Sequence, residues 1–272
     1  MQTVTRDQIS RTLSTIGIRS GDGLLVHSAI QFLGRPADGV GLFLDAILDV
    51  LGPEGTIVVP TFNFDFARGL PFDPKTTPSK NMGVFSELVR MHPVASRTMH
   101  PLQSVAVMGK YQDDLTNRDT PSAFDPDSAF DRMVELDFKL LLLGAEIQAA
   151  SIVHYSEQRA AVPYRYWKEF SGQVKIGSEW KSCVYKMYVR NMEINPELNL
   201  NPIQEQLETK GFWSTEKVNY GQISTCRLSD FVKIADHLLK NNPWSLVGNA
   251  SSSHKRYLEI IEKSKIPLEQ NP

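Results

Sequence analysis

Over residues 1–160 the apolar positions follow two alternating rhythms. Spacings of three and four predict amphipathic helices over 6–16, 40–51, 82–91 and 151–161; in the second, Leu42, Phe43, Ala46, Ile47 and Val50 share one face. Short unbroken apolar runs predict buried strands at 24–27, 56–60, 104–108 and 139–143. Gly52-Pro53 stops the second helix, Pro60 sits at a strand end where its missing N–H does least harm, and the fourth helix ends before Pro163. Strand–helix alternation of this kind predicts an α/β fold with a central mixed sheet flanked by helices.

Beyond Pro163 the texture changes. Residues 174–190 read as β-rich, with Cys183, Tyr185, Met187 and Val189 alternating against Val184, Lys186, Tyr188 and Arg190. Residues 192–207 are polar and rich in Asn and Pro, which predicts a loop leading into a short helix. A helical period returns over 229–240 with Ser229 as its cap, and the last twenty residues predict a helix with a frayed tail. No internal repeat or low-complexity linker interrupts the chain. The reading is one α/β domain over 1–272, with a β-containing insertion at about 170–225 in the C-terminal third.

Composition narrows the class. The 272 residues are long enough to bury about three quarters of the unfolded surface in one large domain. With 41% hydrophobic and 22% charged residues the chain is globular, and a net charge of −2 spread along it gives no support for a nucleic-acid or anionic-membrane partner. Cys183 and Cys226 match no metal spacing and no disulfide framework, so both read as small apolar fillers. The amino terminus lacks signal-peptide order and no apolar run reaches the length of a membrane span, which predicts a soluble, cytoplasmic protein. A homo-oligomer is left open.

The chemistry concentrates in Ser151-Ile-Val-His-Tyr-Ser-Glu-Gln-Arg159. His154 and Glu157, at i and i+3 on a helix, share one face. A carboxylate beside an imidazole fixes its tautomer and raises its basicity, as a general base near neutral pH requires. The segment follows Leu140–Gly144, so the pair lies just beyond the carboxyl end of a strand, where open α/β sheets bind ligands. A helix-surface ion pair is the plainer alternative for an isolated His-x-x-Glu. No Gly-rich dinucleotide or Walker loop and no G-x-S-x-G elbow are present. Gln158 stands where an inverted zinc-protease motif needs His, so no metal is expected. Gln31-Phe-Leu-Gly34-Arg-Pro36 approaches the coenzyme A turn of the commonest acetyltransferases but ends in Pro.

Several segments, in order, resemble the aminoglycoside 3-N-acetyltransferase family: Val26-His-Ser-Ala29, Gly55–Thr61, Phe72–Ser79, Met82-Gly83, Arg97–Ser104, Leu140–Gly144 and His154-Tyr-Ser-Glu157. The resemblance is close over about 5–165 and loose beyond. It implies an α/β enzyme that uses acetyl-coenzyme A to acylate an amine on an amino sugar. It further implies that His154 is the general base with Glu157 as its partner, and that His100 faces the same cleft, although a structural His fixing the turn at Pro101 fits equally. It places His27, Ser28, Ala29, Thr61, Ser79, Gly83 and Ser104 toward the cofactor; for Thr61 a strand-end cap and for Gly83 a simple helix start are the alternatives.

The chain also departs from those relatives. Family members often carry a second Ser where Ala29 stands. Those acting on aminoglycosides, which are polycations, typically carry acids in the stretch matching Trp180–Arg190, whereas here that stretch has no acid and holds Lys181, Lys186 and Arg190. A polycation would meet a neutral or positive wall. The leading expectation is therefore acetylation of a biosynthetic amino sugar; a phosphate-bearing one, such as a nucleotide-linked sugar, would fit better, with Lys186 and Arg190 contacting its phosphate unless they merely solvate a strand face. Asp65 is placed to hold a substrate ammonium. An antibiotic-modifying aminoglycoside acetyltransferase is the runner-up; a silent binding protein and a hydrolase using Ser28 or Ser104 are the alternatives of other classes.

Overall fold

The computed structural model describes residues 2–264. Its strands are β1 (Thr3–Val4), β2 (Gly23–Ser28), β3 (Arg35–Pro36), β4 (Thr56–Pro60), β5 (Ser96–Arg97), β6 (Val105–Gly109), β7 (Lys139–Leu143), β8 (Arg165–Ile176), β9 (Glu179–Arg190), β10 (Ser214–Val218) and β11 (Gly221–Arg227). Its helices are α1 (Arg6–Thr15), α2 (Gly41–Leu51), α3 (Gly83–Arg90), α4 (Gln112–Thr116), α5 (Ala129–Glu135), α6 (Val153–Arg159), α7 (Asn201–Thr209), α8 (Leu228–Asn241) and α9 (Ala250–Ser264). Seven strands form a mixed sheet in the order β10-β11-β7-β2-β4-β6-β5. At its centre β2 runs parallel to both β4 and β7, while β6 and β11 flank that trio antiparallel.

Strand side chains alternate between two cores, as the pleat demands. Leu24, Val26, Ile57, Val59, Leu141 and Leu143 join Ile9 and Leu13 of α1, Phe43 and Ile47 of α2 and Phe85 of α3. Leu25, Val58, Leu140 and Leu142 face the other way, toward Phe130 of α5, Val153 of α6 and Phe231 of α8. Helices thus cover both faces, which is why these strands read as continuous apolar runs. No helix among the described residues is long and apolar enough to cross a membrane.

The C-terminal third corrects the expected boundaries. The strand pattern at 174–190 is half of a long hairpin that begins at Arg165: β8 and β9 pair antiparallel in full register from Arg165↔Arg190 to Ile176↔Glu179. This hairpin is a separate two-stranded sheet, seated on a small cluster of Phe66, Phe72, Leu102, Val174 and Tyr185. Gly172 is needed there, since a Cβ would meet the Phe66 ring at 2.6 Å. Residues 214–227, by contrast, belong to the main sheet, with β11 pairing to β7. Ser229 does not cap α8; Arg227 holds the cap position without a side-chain bond, and Ser229 Oγ donates to Asp137 Oδ1 at 2.7 Å. The frayed tail expected past residue 264 lies outside the described residues.

Candidate active site

β2 ends at Ser28 and β7 at Leu143, side by side, and α6 rises beyond them. His27 ties the two elements together: its Nε2 accepts from the Ser151 backbone N–H at 3.3 Å and lies 3.3 Å from Ser151 Oγ. Burial first, then the neighbouring His154, push His27 down to about 4, so it is neutral and fit for that acceptor role. α6 buries Val153, Tyr155, Ser156 and Glu157 and leaves the His154 side chain 27% exposed.

His154 and Glu157 meet as their spacing predicts. His154 Nδ1 lies 2.6 Å from Glu157 Oε2, and Glu157 is wholly buried. A third group completes the cluster: Arg165, the first residue of β8, places Nε 2.9 Å from the same Oε2 and Nη2 3.2 Å from His154 Nδ1. Burial alone would push the Glu157 carboxyl up, but its bond to His154 and the Arg165 charge hold it below the usual carboxylate range. Burial, with the Arg165 cation next, pushes His154 down, against the upward pull of Glu157. The imidazole is therefore neutral near pH 7. A carboxylate only accepts, so the shorter contact to Oε2 calls for the proton on Nδ1, with Nε2 as the basic atom; the Arg165 Nη2 contact to Nδ1 is then a charge contact and not a hydrogen bond.

Two cavities meet at His154, sharing Phe62 and Leu198 as well. One, of about 460 Å³, lies over the end of β2 and is lined by His27, Ser28, Met82, Gly83, Ser86 and Ser151 among others. Gly83 has φ +80°, a backbone conformation that favours glycine and that begins α3 next to the end of β2. The other, of about 370 Å³, lies under the hairpin and is lined by Phe64, Phe124, Glu157, Arg165, Tyr188 and Arg190 among others. Gln158, which α6 turns away from the pair, accepts from Ser122 Oγ at 2.7 Å and donates to Asp125 Oδ1 at 2.8 Å. It thereby fixes the loop that sets the Phe124 ring edge-on to His154, centroids 5.8 Å apart.

Several expected site residues have other work. His100 lines neither cavity. It is 4% exposed, its Nδ1 accepts from the Gln103 N–H at 3.1 Å, and its ring packs edge-on against Tyr185. The bond to the Gln103 backbone is the kind of contact the structural alternative at Pro101 calls for. Thr61 and Ser104 are fully buried and face Arg97, whose Nε lies 2.9 Å from Thr61 Oγ1 and 3.0 Å from Ser104 Oγ. Ser79 donates to Glu87 Oε2 at 2.7 Å, and the Ala29 N–H is taken by Leu143 O at 2.9 Å. None of these four lines either cavity. Asp65 is paired with Lys80 at 2.5 Å, a bond that leads in holding its carboxyl low. Lys186 lies over the Trp167 ring at 5.1 Å, outside the cavity that Arg190 lines, so alternation along β9 did not bring the two together at a site. Sequence reasoning misses Arg165: nothing local marks it, and the one signal that could find it is the need of a buried carboxylate for a fixed cation.

Comparison with known proteins agrees with this architecture. A family model described as aminoglycoside 3-N-acetyltransferase matches residues 25–240. The chain is similar to aminoglycoside N(3)-acetyltransferase VII of Streptomyces paromomycinus, 29% identical over 196 residues that cover 65% of this chain and 68% of the relative. It is also similar to aminoglycoside N(3)-acetyltransferase III of a Salmonella species, 29% identical over 205 residues, covering 65% and 72%. Among solved structures, AAC-IIIb in binary complex with CoASH superposes with a TM-score of 0.79 at 19% identity, covering 88% of this chain and 97% of the other. With the family model spanning most of the sheet and α6, this chain belongs to the aminoglycoside 3-N-acetyltransferase family and is, with it, an N-acetyltransferase.

Proposed function

We propose that the protein transfers an acetyl group from acetyl-coenzyme A to a primary amine of a biosynthetic amino sugar that carries phosphate, such as a nucleotide-linked one, with His154 as general base. One observation carries the reading: His154 lines both cavities, with Nδ1 committed to Glu157 and Nε2 in no hydrogen bond among the described residues. AAC-IIIb, which shares the fold, has been solved in binary complex with CoASH, and we assign the arm of that molecule to the cavity over β2. Its wall mixes apolar Met82, Ala149, Ala150, Val153 and Leu198 with the polar Ser28, Asn81 and Gln148. When bound, acetyl-coenzyme A supplies the acetyl group as a thioester. The amine nitrogen bonds to the thioester carbonyl carbon as its proton passes to His154 Nε2; the C–S bond then breaks and the leaving thiolate takes that proton back, the transient imidazolium being stabilised by Glu157 at 2.6 Å.

The acceptor side supports an anionic partner. The cavity under the hairpin has a single lining carboxylate, Glu157, which is already held by His154 and Arg165. A polycation finds no free acid there, while Arg190 makes no ion pair among the described residues and can take a phosphate. The relatives' names favour a second reading, acetylation of an aminoglycoside. A thiol-release assay with acetyl-coenzyme A across nucleotide amino sugars and aminoglycosides separates them. Turnover with the former supports the proposal; efficient turnover with aminoglycosides alone overturns it. Thiol release without any amine would instead mark a hydrolase.

A further inference from the structure

We infer that Arg165 is a positioning residue which, from the base of the hairpin, keeps His154 neutral and holds Glu157 in place against it. Oxygen Oε2 of Glu157 lies 2.6 Å from the imidazole Nδ1 and 2.9 Å from Arg165 Nε, the second an ion pair without the alignment of a hydrogen bond, while Oε1 is buried with no hydrogen bond among the described residues. With His154 as its only counter-charge, a fully buried carboxylate is stabilised by turning the imidazole into imidazolium, and an imidazolium accepts no proton. A permanent guanidinium removes that demand. It also lies 3.2 Å from Nδ1, where it opposes a second positive charge on the ring. Arg165 is itself fixed, its side chain 12% exposed and its Nη1 donating to Tyr188 O at 3.2 Å across the hairpin.

The other groups facing His154 leave this balance intact. His27 of β2 is neutral down to about pH 4. Tyr164 and Tyr188 are both pushed up, by burial first, and stay uncharged. Phe124 offers only a ring edge. Arg190, directly opposite Arg165 in the register, adds charge of the same sign on the same side. Glu157 is the one anion, and Arg165 is the cation in contact with it.

The test reads His154 directly and so does not depend on its being the base. In the wild-type protein, imidazole ¹⁵N shifts should report a neutral Nδ1–H ring at pH 7 that titrates below the ordinary histidine value. In Arg165→Gln the same signals should move up by about one pH unit or more, and the acid limb of kcat/KM should move with them. Arg165→Lys keeps the charge but not the two-point reach, so it should restore the limb while kcat stays low. An imidazolium at pH 7 in the wild type overturns the inference even if the glutamine variant does not fold. So does a folded Arg165→Gln protein with unmoved shifts, which would leave Arg165 as a mere hairpin anchor. Failure of the base assignment is recognised separately, by undiminished turnover in His154→Ala.

Discussion

The two cavities that meet at His154 are built from different materials. The one over β2 is framed by strand ends and the starts of α3 and α6, and its lining side chains are neutral, with both His27 and His154 uncharged. The one under the hairpin carries Glu157, Arg165 and Arg190 among aromatic side chains, and two of those three come from β8 and β9. The first is as fixed as the sheet itself. The second depends on a hairpin that contributes nothing to the main sheet, so its charge can differ between relatives while the fold stays the same. In this chain that charge is positive.

The largest expected effect comes from the residue common to both sides. His154→Ala should lower kcat by about 10²- to 10⁴-fold while the melting temperature and both binding constants change little. Near-wild-type turnover by the folded variant would remove the proposed base. Glu157→Ala should cost less rate and far more stability, about 3–5 kcal/mol by denaturant unfolding, because it strands Arg165 in a buried position. Equal, small stability losses in the two variants would mean that Arg165 finds another partner.

Ser28→Trp tests one side alone. It should fill the cavity over β2 and abolish the thermal stabilisation given by coenzyme A, which arises by mass action on the native state. A surviving shift in the tryptophan variant would place the cofactor elsewhere. Arg190→Ala tests the other side. KM for a phosphate-bearing acceptor should rise about tenfold with kcat nearly constant, the mark of lost uniform binding, and Lys186→Ala should leave KM as it was. If Lys186→Ala has the larger effect, the hairpin binds its ligand on the face away from the cavity.

A smaller effect separates catalysis from stability. His27 and His100 are each depressed to about 4, and His154 is depressed as well. The unfolded chain then binds more protons below its ordinary histidine value of about 6.5, so stability should be complete above that pH and fall steadily toward pH 4. The acid limb of activity should appear inside the same window. Constant stability between pH 6.5 and 4 would show that these rings stay accessible to protons in the native state.

The sequence made some of these features plain and hid others for physical reasons. Strands β2, β4 and β7 were legible because both faces are buried, and His154 with Glu157 because a single helix turn carries both. The first half of β8, Arg-Tyr-Trp-Lys-Glu-Phe-Ser, gave no alternation, since Tyr166, Trp167, Lys168 and Glu169 are exposed in succession, on both faces of the strand. Thr61 and Ser104 looked like ligand-facing hydroxyls. Composition could not reveal that a buried Arg97 takes them, with its other nitrogens on the Thr61 and Thr77 carbonyls. Contacts between remote segments are set by packing, and Arg165 on Glu157 is of that kind.

The pairing of β11 with β7 also orders events in time. A chain emerging from the ribosome presents β2, β4, β5, β6 and β7 first, then α6 and the whole hairpin, and only then β11 and β10. Until those last strands arrive, the outer edge of β7 has no partner, and its apolar residues have lost part of their cover. Closing that edge joins residues about eighty positions apart, a slow step by the entropy of loop closure. The nascent protein thus carries an open strand edge beside α6 for as long as the intervening segment takes to be made, and an unpaired edge of this kind invites association with other chains.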